Sequence, residues 1–122
     1  MEILIKKFAN EIYSELGTGY SERVYHNAFE VLLRKNGINY ETERIIPIVF
    51  MGHTIGNLRA DLIIDKELIV ELKSVKNIGA SMMTQIDNYL KLTSLKKGIL
   101  INFGGPGGCE FEVCDKSAET SG

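Results

Sequence analysis

Apolar residues at Ile3, Leu4, Phe8, Ile12 and Leu16 recur at the spacing of one helix face, which predicts a helix over residues 2–16. Gly17-Thr18-Gly19 interrupts the pattern. A second helix is predicted over 21–35, with Ser21 as a candidate cap, Val24, Phe29, Val31 and Leu32 as apolar contacts, and Gly37 as its stop. Strand-like segments follow. Residues 45–50 are β-rich, but Pro47 has no amide hydrogen to give a central ladder, so this strand belongs at an edge or carries a bulge. Met51-Gly52-His53 turns the chain into a second strand over 54–64, and 68–74 forms the third. The link between them, Asp65-Lys66-Glu67, is too short for a parallel crossover, so this pair is antiparallel. A helix over 80–92 gathers Met82, Met83, Ile86, Tyr89 and Leu90 on one face. Residues 98–103 carry the unbroken apolar run Ile99, Leu100 and Ile101, the mark of a central strand. Residues 104–108, Gly-Gly-Pro-Gly-Gly, read as a flexible hairpin loop before a last edge strand over 110–114. The order α-α-β-β-β-α-β-β predicts one α/β domain with a mixed sheet flanked by helices.

Composition adds bounds. A chain of 122 residues with 44% apolar and 25% charged residues has the make-up of a single packed domain, not of a disordered one. The expected domain is 1–115, with 116–122 a flexible tail. No apolar run approaches the roughly 18 residues of a membrane span. The first residues, Met1 to Lys7, lack the charge-then-apolar-then-small order of a signal peptide, so a cytoplasmic protein is expected. Net charge is −2, but Glu110, Glu112, Asp115 and Glu119 against Lys116 alone concentrate the acids after Cys109, and the rest of the chain carries 13 basic and 12 acidic groups. A near-neutral body is not the basic footprint of an ordinary nucleic-acid binder, and weak unaided binding is expected. Cys109 and Cys114 form no disulfide framework, and no second pair exists for zinc.

The third strand places chemistry. With period 2, Leu68, Val70 and Leu72 share one face, and Ile69, Glu71 and Lys73 the other. A carboxylate and an ammonium thus stand side by side on an apolar strand. If Asp65-Lys66-Glu67 is a three-residue hairpin loop, Asp61 of the second strand faces Glu71; a two-residue loop sets it against Val70. Opposed carboxylates on a part-buried surface need neutralising, and a hard divalent cation such as Mg²⁺ does so with one or two carboxylates plus waters. Lys73 can then orient or deprotonate water, or meet charge on a phosphate. The plainer reading is a solvated face with a Glu71–Lys73 pair. Glu22 opens the second helix, with Tyr25 at i+3 and His26 at i+4, where an acid also matches the helix dipole. Gln85 and Tyr89 stand at i, i+4 on the third helix, and a buried Gln there needs a partner. Arg59, two residues before Asp61, and Lys76, just past Lys73, are candidate phosphate contacts.

At this point the residues resemble a family. Gly19-Tyr20-Ser21-Glu22-Arg23-Val24-Tyr25 matches the motif of the GxxExxY proteins. Residues 59–62, 70–73, 85–92 and 98–104 look like its later blocks, so the resemblance covers roughly residues 5–104. The family is placed in the PD-(D/E)xK phosphodiesterase superfamily, whose restriction-endonuclease-like αβββαβ core agrees with the predicted order. The resemblance implies Asp61 and Glu71 as ligands of Mg²⁺ or Mn²⁺, the Leu72 carbonyl as a third, and Glu22 completing the site through water. It implies Lys73 as the catalytic lysine and Gln85 and Tyr89 as a Q-x3-Y element shaping the site. Ala60 stands where the superfamily name has proline.

His26 and His53 lack Cys or His companions for zinc, the 104–108 loop lacks the Lys-Ser/Thr of a phosphate loop, and no Ser/His/Asp order stands out. The expected function is a metal-dependent nuclease acting on DNA or RNA. The alternative is a non-catalytic module of the same fold that binds protein or nucleic acid. A chain this short has little surface with which to grip DNA, so a homodimer or a protein partner is expected.

Overall fold

The computed structural model describes residues 1–117. Its elements run α1 (Glu2–Leu16), α2 (Glu22–Lys35), β1 (Tyr40–Phe50), β2 (His53–Ile64), β3 (Leu68–Lys73), α3 (Ala80–Leu92), β4 (Lys97–Asn102) and β5 (Glu110–Asp115). The five strands form one sheet in the order β1-β2-β3-β4-β5, antiparallel except for β3 and β4. Only that parallel pair needs a crossover, and α3 supplies it. The αβββαβ core expected from the sequence is present, with α1 before it and β5 after it. Among the described residues no helix is long and apolar enough to cross a membrane.

Two cores lie on opposite faces. Helices α1 and α2 cover Leu62, Ile64, Val70, Leu72, Ile99 and Ile101, while α3 covers Ile46, Ala60, Ile63, Ile69 and Leu100. The α1 stripe is displaced from the expected one. Ile5, Phe8, Ala9 and Ile12 are buried at i, i+3, i+4, i+7, whereas Ile3 is 84% exposed. On α2 the buried positions are Tyr25, His26, Phe29 and Leu33; Val31 lies about 200° around the helix from Phe29 and is exposed. Strand β1 begins at Tyr40, five residues before the expected start, because its charged first half is held by α2 and not by an apolar alternation. Pro47 sits on the edge strand, beside a bulge between Ile48 and Val49. Strand β4 is interior, though the middle of the sheet is β3.

Both tight hairpins use left-handed residues. Met51 and Gly52 join β1 to β2, with φ of 49° and 82°. Asp65 and Lys66, at 51° and 58°, turn β2 into β3, and the Glu67 N–H closes onto the Ile64 carbonyl at 2.9 Å. The 104–108 loop is not slack along its length: a Cβ on Gly104 would stand 2.2 Å from the Val75 carbonyl oxygen, so the backbones touch there. Lys116, assigned from the sequence to the tail, donates its N–H to the Lys96 carbonyl and its ammonium to Asp87. The remainder of the expected tail, 118–122, lies outside the described residues.

The strands reverse their faces midway. On β1, Tyr40 and Thr42 meet α2 while Ile46 meets α3; on β2, Leu62 and Ile64 meet the first core while Ala60 and Leu58 meet the second. A simple pleat would keep even positions together. The reversal falls at Glu43, whose φ is +54°, and at Asp61. Thr42↔Leu62 and Arg44↔Ala60 pair on either side of them.

Candidate functional site

The face reversal takes Asp61 out of the regular ladder, and side chains take over. The β2–β3 pairs are Ile64↔Leu68, Ile63↔Ile69 and Leu62↔Val70, the register of the three-residue loop, not of the two-residue alternative. The next step sets Asp61 against Glu71. There the Asp61 N–H donates to Glu71 Oε1 at 3.1 Å, and the Leu72 N–H donates to Asp61 Oδ2 at 2.9 Å. Each carboxylate keeps one oxygen beyond these bonds.

Around the pair lies a cleft of about 350 Å³ walled by α2 (Glu22, Arg23, His26), β2 (Asn57, Leu58, Arg59), β3 (Leu72, Lys73) and α3 (Gln85, Tyr89). Larger hollows elsewhere gather no comparable chemistry; the one along the outer face of α1 is lined by Ile3, Lys6, Lys7 and their neighbours. Glu71 is 3% exposed. Burial first, then the charge of Asp61, push its carboxyl up to about 9, against the weaker pull of the Asp61 N–H and Lys73. The ammonium of Lys73 reaches Glu22 at 3.9 Å, not Glu71, so the Glu71–Lys73 pair of the plainer reading does not form.

On the far side, Gln85 Nε2 donates to the Tyr89 hydroxyl at 3.1 Å, and that hydroxyl donates to the Arg59 carbonyl. Gln85, half-buried, thus finds a partner in Tyr89. Burial and the two carboxylates raise the Tyr89 phenol. Arg59 lines the cleft, although the alternation that predicted it breaks at Asp61. Lys76 is exposed in the loop after β3 and does not line the cleft. Glu22 and His26 both reach the cleft, but Tyr25 turns into the core, stacked on Phe103 at 4.2 Å between centroids. Its hydroxyl donates to the Gly17 carbonyl at 2.6 Å and accepts the Tyr20 N–H at 3.4 Å. The tyrosine of the motif therefore fastens the turn that starts α2 at Glu22.

Sequence reasoning missed Arg23 and Asn57 as cleft residues. It noted His26 only by its spacing from Glu22. His26 Nε2 lies 2.7 Å from Thr42 Oγ1 and 3.1 Å from Glu30. Arg23 pairs with Glu43 at the face reversal, each shifting the other toward its charged form.

The donors suit a hard cation. Two opposed carboxylates, one of them deeply buried, repel each other until positive charge stands between them. Among the described residues no third His, Cys, Asp or Glu side chain converges on them, so further ligands would be the backbone or water. Leu72 is placed for this, since its side chain lies in the opposite core while its backbone meets the cleft.

A family model described as the PD-(D/E)XK nuclease superfamily matches residues 1–111. The chain belongs to that superfamily. One similar solved structure, the crystal structure of SSO0001, is 28% identical with a TM-score of 0.60, over 77% of this chain and 49% of that one. This PD-(D/E)XK chain thus spans about half the length of SSO0001. No curated protein matches it. Within the superfamily's fold, the acid pair falls where β2 and β3 leave the ladder, and the lysine ends β3.

Proposed function

We propose that this chain is a divalent-metal-dependent nuclease that hydrolyses phosphodiester bonds of DNA or RNA. The reciprocal contact of Asp61 and Glu71, in a cleft shared with Lys73, carries this reading. Asp61, Glu71 and the Leu72 carbonyl would hold Mg²⁺ or Mn²⁺, with Glu22 contributing through water. When bound, the ion supplies Lewis acidity at the phosphate and acidifies water. The residues do the rest. Lys73 places its ammonium against charge developing on the phosphate. Gln85 and Tyr89 fix the backbone at Arg59. Arg59 contacts a neighbouring phosphate, and Lys76 one further out. The likeness of residues 19–25 to the GxxExxY proteins supports Glu22 in this role.

The test is cleavage of single- and double-stranded DNA and RNA in Mn²⁺ by the wild type, Glu71→Ala and Lys73→Ala. Metal-dependent cleavage lost in both variants supports the reading. A folded wild type that neither cleaves nor binds Mn²⁺ sinks it and favours the non-catalytic module.

A further inference from the structure

Tyr20 has an anchored backbone and an exposed ring. Its carbonyl accepts the Ser74 hydroxyl at 2.8 Å, and its N–H reaches the Tyr25 hydroxyl. Its ring forms a T-shaped pair with that of Tyr25, 6.2 Å between centroids at 78°. Gly19 before it has φ +105°, a conformation other residues rarely adopt, and α2 begins two residues after it. Yet the side chain is 48% exposed, and among the described residues its hydroxyl makes no hydrogen bond. Tyr20 and Phe50 are the aromatic rings among the large exposed apolar side chains, and Phe50 lies at the tip of the β1–β2 hairpin. Tyr20 adjoins the cleft wall through its neighbours: Ser74, which donates to its carbonyl, follows Lys73, and Glu22 is two positions on.

We propose that Tyr20 is a stacking platform for an unpaired nucleobase beside the cleft, which makes single-stranded nucleic acid the substrate class. A ring on an anchored backbone is displayed at a set place, and any base presents a π-face to it once it is out of a duplex stack. Charge points the same way. Arg23 is engaged by Glu43 and the body of the chain is near neutral, so beyond Lys73, Arg59 and Lys76 the chain offers no broad basic surface to grip both backbones of a duplex.

This inference rests on the nuclease reading but is tested apart from it. Binding is measured by fluorescence anisotropy in Ca²⁺ for the wild type, Tyr20→Ala and Tyr20→Phe. The probes are a short single strand of DNA, its RNA counterpart, a blunt duplex, and a strand of equal length with abasic sites throughout. Tyr20→Ala is expected to weaken binding to a base-bearing single strand roughly 5- to 150-fold. It leaves the abasic strand and the duplex unchanged, and Tyr20→Phe binds as the wild type does. Equal losses on base-bearing and abasic strands, no loss on either, or no binding of either single strand overturns the platform. A base-dependent Tyr20 effect without Mn²⁺-dependent cleavage removes the nuclease and keeps the platform. Cleavage without that effect does the reverse.

Discussion

Asn102 grips Val75 by both polar atoms of its side chain: Oδ1 accepts the Val75 N–H at 2.9 Å, and Nδ2 donates to the Val75 carbonyl at 2.8 Å. The amide thus continues the β3–β4 pairing for one more step, after the last ladder pair at Lys73↔Asn102. It also receives the Gly104 N–H and donates to Glu110, so a fully buried side chain is fully satisfied. Asn102→Ala leaves several buried groups without partners, and a loss of about 3 kcal/mol is expected. Urea unfolding checks it; an unchanged midpoint would show that the segment after Lys73 is fastened elsewhere.

Glu71 sets a pH dependence for the metal-free protein. Its carboxyl is raised from 4.5 to about 9 on folding, so between those values the folded chain holds a proton that the unfolded chain releases. Stability through this group is therefore present at low pH and falls as pH rises toward 9, by at most about 1.4 kcal/mol per pH unit. Glu71→Gln keeps an acceptor for the Asp61 N–H and removes the charge. The variant is expected to melt above the wild type at pH 8 in EDTA and near it at pH 5. Mn²⁺ should raise the wild-type melting temperature at pH 8 and leave the variant where it was.

On the proposed reading, Lys73 separates chemistry from metal capture. It contacts Glu22 and not the buried acid. Lys73→Ala is expected to lower kcat about 10²- to 10³-fold, the size seen when one preorganised electrostatic group is removed. Mn²⁺ affinity, read by calorimetry, stays close to that of the wild type. A collapse of metal binding in Lys73→Ala would place the lysine in holding the acids, not in catalysis.

Tyr25→Phe keeps the stack on Phe103 and deletes the hydroxyl that joins Gly17 to Tyr20. The Gly17 carbonyl loses its partner, at a cost of about 1–2 kcal/mol. Amide exchange over residues 17–22 should quicken while that of β3 and β4 holds. Uniform acceleration would mean that the hydroxyl supports the whole core.

Much of this was legible in the chain. The length of the Asp65-Lys66-Glu67 link dictated an antiparallel pair, and with the three-residue option it brought Asp61 to Glu71. Period 2 on β3 separated Glu71 and Lys73 from Leu72, and i, i+4 spacing joined Gln85 to Tyr89. What escaped depended on contacts between distant segments. Glu43 takes a positive φ without being glycine or asparagine, so nothing local marks the face reversal at Asp61. Asn102 ends an apolar strand, and two of its four hydrogen bonds go to Val75, in the loop after β3, which no periodicity places beside it. Tyr25 reads equally well as a cleft or a core residue until Phe103 is known to lie beneath it.

The paired irregularity at Glu43 and Asp61 keeps β1 and β2 in step while turning both over. The hairpin beyond it therefore behaves as an arm with its own inside and outside: Ile46 and Leu58 face α3, and Ile45 and Val49 face solvent. Such an arm can be lengthened or trimmed two opposed residues at a time without disturbing the acid pair at its root. Loss of a single residue from one strand would rotate Ile46 outward and force the root to absorb the slip. Change in this protein's length is thus easiest at the arm's tip and hardest at its shoulder.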